Sequence, residues 1–192
     1  MDMEKMTFRE QQPAVQVCCG GRKALVLTCE RETTVRLSVP GDDGAEETVP
    51  EWEYDGRWLE LDGRGDGAVL SAAKKAVLAD IDAWDGGTAV NGFVVNGMRV
   101  WLGKGERVGL MNSTTIAKNA GAEKTELWFG TAHVEVSCDT ALSMLSEIEM
   151  YALACYNATA RHKAAVEAMD DVAAVVGYDY KAGYPECVTF SV

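Results

Sequence analysis

Residues 139–169 read DTALSMLSEIEMYALACYNATARHKAAVEAM, a stretch with no proline or glycine in it. Ala141, Leu145, Ile148, Ala152, Cys155, Thr159, His162, Val166 and Met169 recur in alternating steps of four and three, which keeps them on one side of a helix. That stripe is the expected buried face. Ser143, Ser146, Glu147, Asn157, Ala164 and Ala168 lie on the opposite side, and Asp139 stands where free amides and the helix dipole favour an acid or an N-cap. At ~1.5 Å per residue the rod is roughly 45 Å long. A helix of that length outruns one small sheet, so part of it is expected to lean on another helix or another copy of the chain. The small or weakly polar residues in mid-stripe argue against a strong leucine-zipper seam.

Outward from the helix, turn chemistry orders the rest. Before it, Thr125 to Phe129 and Ala132 to Ser137 form a hairpin across Gly130-Thr131, and Val90 to Leu102 holds Asn96-Gly97 between two apolar runs, a strong hairpin signal. Between the two, Gly103 to Gly121 reads as a helix that Ser113-Thr114-Thr115 either interrupts or leaves whole. Trp101, Trp128 and Phe129 are assigned to covering the long helix. Ala68 to Trp84 is a further helix, with Val69, Ala73, Val77 and Ile81 on its apolar face and Gly86-Gly87 as its stop.

The N-terminal third is different. Residues 1–12 are polar and expected to fray or to dock late. Short β-type runs follow at Ala14–Cys18, Lys23–Cys29, Thr33–Val39, Thr48–Tyr54 and Arg57–Leu61, separated by turn signals at Gly20-Gly21, Pro40 to Gly44 and Asp55-Gly56. The glycine-rich DGRGDG of 62–67 breaks both periods and is the expected domain boundary. The reading is α+β: a small antiparallel β module over 1–67, then an α+β domain over 68–192. Beyond the long helix, Asp170 or Asp171 caps a short helix over Val172–Val176, Gly177 ends it, and the last five residues suit an edge strand.

Composition narrows function. Eighteen basic against 30 acidic residues give a net charge of −12, which argues against nucleic acid and against an anionic membrane surface as partners. The sequence holds no apolar run long enough to span a bilayer, and its opening MDMEKMTFREQQ lacks the features of a secretory signal, so synthesis in the cytoplasm is expected. The six cysteines are spaced as reduced thiols, with a Cys18–Cys29 bridge open as an alternative.

Each motif has a plainer reading beside the chemical one. Gly103-x-Gly105-x-x-x-Gly109 follows a strand and opens a helix, as a phosphate cradle does, but its third glycine falls one residue late and no parallel unit surrounds it. Cys155 and His162 stand two turns apart, about 10 Å, too far for a thiolate–imidazolium pair. His133 sits alone on a strand. Arg64-Gly65-Asp66 reads as a boundary turn. No catalytic, cofactor or metal residue is assigned. Trp52, Tyr54 and Trp58 are the one partner-binding candidate: alternate strand positions share a face, and the three either form the core of the β module or dock a partner.

Taken together, Phe93-x-x-Asn96-Gly97-x-x-x-Trp101-Leu102, Arg107-x-Gly109-Leu110-x-Asn112-Ser113, Ala120-Gly121, Leu127-Trp128-Phe129, Ala141-Leu142-x-Met144-Leu145, Glu149-x-Tyr151-Ala152-x-x-Cys155-Tyr156-Asn157-x-Thr159-Ala160-x-His162-Lys163 and Tyr178-Asp179-Tyr180-x-Ala182-Gly183-Tyr184-Pro185-Glu186 carry a resemblance. Over residues 70–188 the chain resembles an uncharacterised domain family of phage and prophage proteins, often in or beside tail-fibre and other virion components. The resemblance implies a non-enzymatic structural role as a tail adaptor or fibre-associated component. It also implies residence in the virion, contacts with other virion or tail proteins, and self-association. An assembly factor absent from the finished particle is the alternative it leaves.

Overall fold

The computed structural model describes residues 3–38, 46–65, 67–130 and 132–192. In chain order its elements are β1 (Glu4–Phe8), β2 (Val15–Cys18), β3 (Lys23–Ser38), β4 (Glu46–Glu60), α1 (Ala68–Asp85), α2 (Thr88–Asn91), β5 (Phe93–Val95), β6 (Met98–Val100), α3 (Lys104–Asn119), β7 (Lys124–Phe129), β8 (Ala132–Ser137), α4 (Cys138–Ala168), α5 (Val172–Val176) and β9 (Thr189–Phe190). The class is mixed α+β. Two compact units share the chain: residues 1–80 with 163–179, and residues 81–162 with 180–192. No helix among the described residues is long and apolar enough to cross a membrane.

The first unit holds an antiparallel sheet in the order β1-β4-β3-β2. Of the first twelve residues, Glu4–Phe8 docks at the sheet edge, paired with Trp52–Gly56. Of the short runs expected after it, Ala14–Cys18 stands as β2, and the other four fuse into two long strands, β3 and β4, paired from Lys23↔Glu60 to Ser38↔Glu46. Asp55-Gly56 is therefore no hairpin. It lies within β4, opposite Leu27 and Thr28, and the glycine is needed for space: a Cβ on Gly56 would stand 2.5 Å from Met6 Sδ. The expected Pro40–Gly44 loop lies outside the described residues, as do Asp66 of the boundary turn and Thr131 of the second hairpin.

A register shift between Thr28 and Arg31 puts a bulge in β3, where Cys29 takes the left-handed region at φ 54°. The turn from β2 to β3 also runs left-handed, with φ of 55° at Cys19, 67° at Gly20 and 80° at Gly21. One sheet face gathers Leu25, Leu27 and Tyr54, with Met6, Phe8 and Trp52 packed on them. The other buries Ala24, Val26 and Leu59 and carries Arg57, whose Nη1 pairs with Asp80 Oδ2 of α1 at 2.7 Å. α5 packs against β3, and its cap is Asp171, whose carboxylate accepts from the Ala174 amide at 2.7 Å. Gly177 ends it as expected.

In the second unit both hairpins form. Asn96 and Gly97 take φ of 48° and 79°, the pair of positive angles a two-residue I′ turn requires. The chain end adds β9 alongside β5 in parallel, giving the sheet order β6-β5-β9. α3 runs unbroken through Ser113-Thr114-Thr115, with Thr114 buried at 2% exposure. Ser137 caps α4, its Oγ accepting from the Thr140 amide at 3.0 Å, while Asp139 is the acid of the first turn and pairs with Lys118 of α3.

One core joins these pieces. Phe93, Val95, Leu127, Phe129 and Phe190 from the strands meet Ala141, Met144, Leu145 and Ile148 of α4. Phe93 stands edge-on to Phe129 at 5.6 Å and to Phe190 at 6.3 Å. Trp101 and Trp128 do not cover the helix. They are 49% and 51% exposed: Trp101 lies past the end of β6, and alternation along β7 turns Leu127 and Phe129 inward and Trp128 outward.

Candidate contact surfaces

The buried stripe of α4 is where expected, with Ala141, Leu145, Ile148, Cys155, Thr159 and Val166 all buried. Its chemistry-bearing members are occupied by packing. Cys155 donates its thiol to the Val90 carbonyl at 3.3 Å, and the Tyr151 hydroxyl donates to the same oxygen. Burial pushes both the Cys155 thiol and the Tyr151 phenol above their ordinary values.

Further along the helix, Thr159 Oγ1 donates to Asp85 Oδ1 at 2.8 Å and lies 3.0 Å from the Tyr184 hydroxyl. His162 Nε2 donates to the Ala182 carbonyl at 2.9 Å, its ring 5.4 Å from that of Tyr184. His133 stacks on Trp128 at 4.4 Å. The structure thus brings neither histidine to Cys155: each ring and the thiol has its own partner. At the glycine run, the Gly103 amide is taken by Glu106 Oε2 at 2.7 Å, and Gly105 and Gly109 lie within α3 with open space where a Cβ would stand. All six cysteines are free thiols, and Cys18 faces its neighbour Cys19 at 3.6 Å instead of Cys29.

Trp52, Tyr54 and Trp58 share one face of β4, and their surroundings differ. Tyr54 is core: it is 2% exposed, its hydroxyl accepts from the Gln12 amide at 2.9 Å and donates to Glu30 at 3.2 Å, and Phe8 packs edge-on against it. Trp52 is half-buried on the same cluster. Trp58, opposite Leu25, is 44% exposed.

A second surface lies in the other unit. Asp85, Asn91, Lys104, Arg107, Glu149, Ala152, Leu153 and Tyr156 line an open hollow of ≈ 340 Å³. Arg107 is its buried anchor at 9% exposure, with Nε on Glu149 Oε2 at 2.7 Å and Nη1 on the Leu102 carbonyl at 2.8 Å. Beside the hollow α4 leaves Met150, Leu153 and Tyr156 exposed at 66%, 50% and 66%. Three large apolar side chains within two turns form a patch of the kind that marks contact sites, unlike scattered exposed residues. Polar neighbours hide them in the sequence, although Met150, Leu153 and Asn157 repeat the four-and-three spacing on that side.

A family described as a domain of unknown function, DUF4376, matches residues 72–182, more than half of the chain. The chain belongs to the DUF4376 family. No curated protein and no solved structure matches it. Of the two surfaces, the Arg107 hollow and the α4 patch fall inside the DUF4376 segment, and Trp58 falls outside it.

Proposed function

We propose that this DUF4376 protein is a non-enzymatic structural component of a phage or prophage particle, acting through contacts with other virion or tail proteins. The observation that carries the reading is the distribution of side chains. The thiol of Cys155 and the rings of His133 and His162 are engaged in packing and backbone bonds, while large apolar groups stand outside: Trp58 on the sheet, and Met150, Leu153 and Tyr156 on α4. Burying such groups on association releases roughly 25 cal/mol per Å² of apolar surface removed from water, which is the return available to a contact protein.

In this reading the sheet of the first unit anchors the chain through the Trp58 face, and the DUF4376 segment supplies the part common to its relatives. The net charge of −12 suits a protein whose partners are not phosphate backbones. Mass spectrometry of particles purified from cells that make the chain tests this. A structural component is present in every preparation at a constant ratio to the other particle proteins. Presence in cell extract with absence from particles would instead favour an assembly factor that leaves.

A further inference from the structure

On the outer side of α4, Ser146, Met150, Leu153, Asn157 and Ala160 follow one another at steps of four, three, four and three, and all five are exposed. On a helix of 3.6 residues per turn they fall within a sector of about 80°. This is the spacing by which one helix seats on another, here on a face that the described residues of its own unit leave exposed.

The charges beside it indicate what covers it. Glu147 and Arg161 lie on the same flank of that face, both exposed, and neither has an ion pair or hydrogen bond among the described residues. They are fourteen residues apart, so their midpoint falls one residue from Leu153. A two-fold contact requires a patch that complements itself, and a two-fold axis beside Leu153 turns Glu147 of one copy onto Arg161 of the other, twice. A parallel arrangement, whose axis runs along the helices, would put this flank of the two copies on opposite edges of the seam and leave Glu147 and Arg161 without each other.

We infer that a second copy of this chain docks on α4, antiparallel about Leu153, with the Met150–Leu153–Asn157 face as its seam and two Glu147–Arg161 pairs fixing register and direction. Ser146 and Asn157 keep the seam from being fully apolar, so the dimer is weak and concentration-dependent. The inference does not rest on the particle reading, because purified chain alone should form the dimer.

Analytical ultracentrifugation of the full chain from about 1 µM to about 1 mM is the test. The native chain should pass from monomer to dimer. E147R and R161E should each weaken self-association about tenfold or more, since each sets like charges opposite one another at two places. Mixing E147R chains with R161E chains should restore the dimer as a mixed pair, because both contacts then join opposite charges; this also establishes that each variant is folded. A chain that stays monomeric throughout, single variants that dimerise as well as the native chain, or a mixture no better than its components would each overturn the inference.

Discussion

Arg107 reaches from α3 to Glu149 of α4 through a 2.7 Å bond from Nε to Oε2, while its Nη1 holds the Leu102 carbonyl at the entry to α3. The arginine is almost wholly buried and the glutamate is 41% exposed, which makes the two ends unequal. Removing the arginine strands a carboxylate that water can still reach. It also orphans a carbonyl that water reaches poorly.

R107A should therefore lower unfolding stability by about 2 kcal/mol, less than a fully buried pair would cost because Glu149 stays hydrated. E149Q keeps an acceptor but leaves the buried guanidinium without a counter-charge, and should cost about 1–3 kcal/mol. Urea unfolding of the three proteins measures both differences.

Gly56 and Met6 test how β1 docks on β4. A Cβ on Gly56 would meet Met6 Sδ at 2.5 Å and Cγ at 3.2 Å, so G56A must push the flexible methionine side chain aside and should destabilise by about 1 kcal/mol. The same substitution placed in M6A should cost much less, and a double-mutant cycle isolates that coupling. Equal costs in both backgrounds would mean that β1 is not seated on Gly56.

Stability should depend on pH on the alkaline side. Burial raises the Cys155 thiol above its ordinary 9.0 and the Tyr151 phenol above its ordinary 10.0. The unfolded chain therefore gives up these protons before the folded chain does. The stabilisation is complete below about pH 9 and declines as pH rises above it. Thermal melts from about pH 7 to about pH 11 should show that decline, and Y151F should make it shallower.

Much of the second unit could be read directly from sequence, because its signals are local. Asn96-Gly97 specifies its own turn, and the buried side of α4 follows from spacing alone. The first unit was harder, since long-range pairing decides it. Asp55-Gly56 has the composition of a hairpin turn, yet the chain passes straight through it: β3 supplies a partner for the whole of β4, and Met6 occupies the space above the glycine. Trp101 and Trp128 belong to hairpins expected to cover the long helix, yet alternation along β7 turns Trp128 outward and Trp101 lies past the end of β6. On α4 the outer side carries Met150, Leu153 and Asn157 at the same period as the inner stripe, and the polar residues around them mask it. Arg107 and Glu149 could not be paired from sequence, because they belong to different helices and only the packing brings them together.

Trp58 gives the most direct test of the central claim, that this protein works by burying surface against other particle proteins. Quantitative mass spectrometry should count copies of native and W58S chains in purified particles, with melting temperatures measured alongside. The account predicts that the native chain is retained at a fixed number of copies, and that W58S is folded but strongly depleted from particles. A native chain absent from particles, or W58S incorporated as well as the native chain, would contradict it.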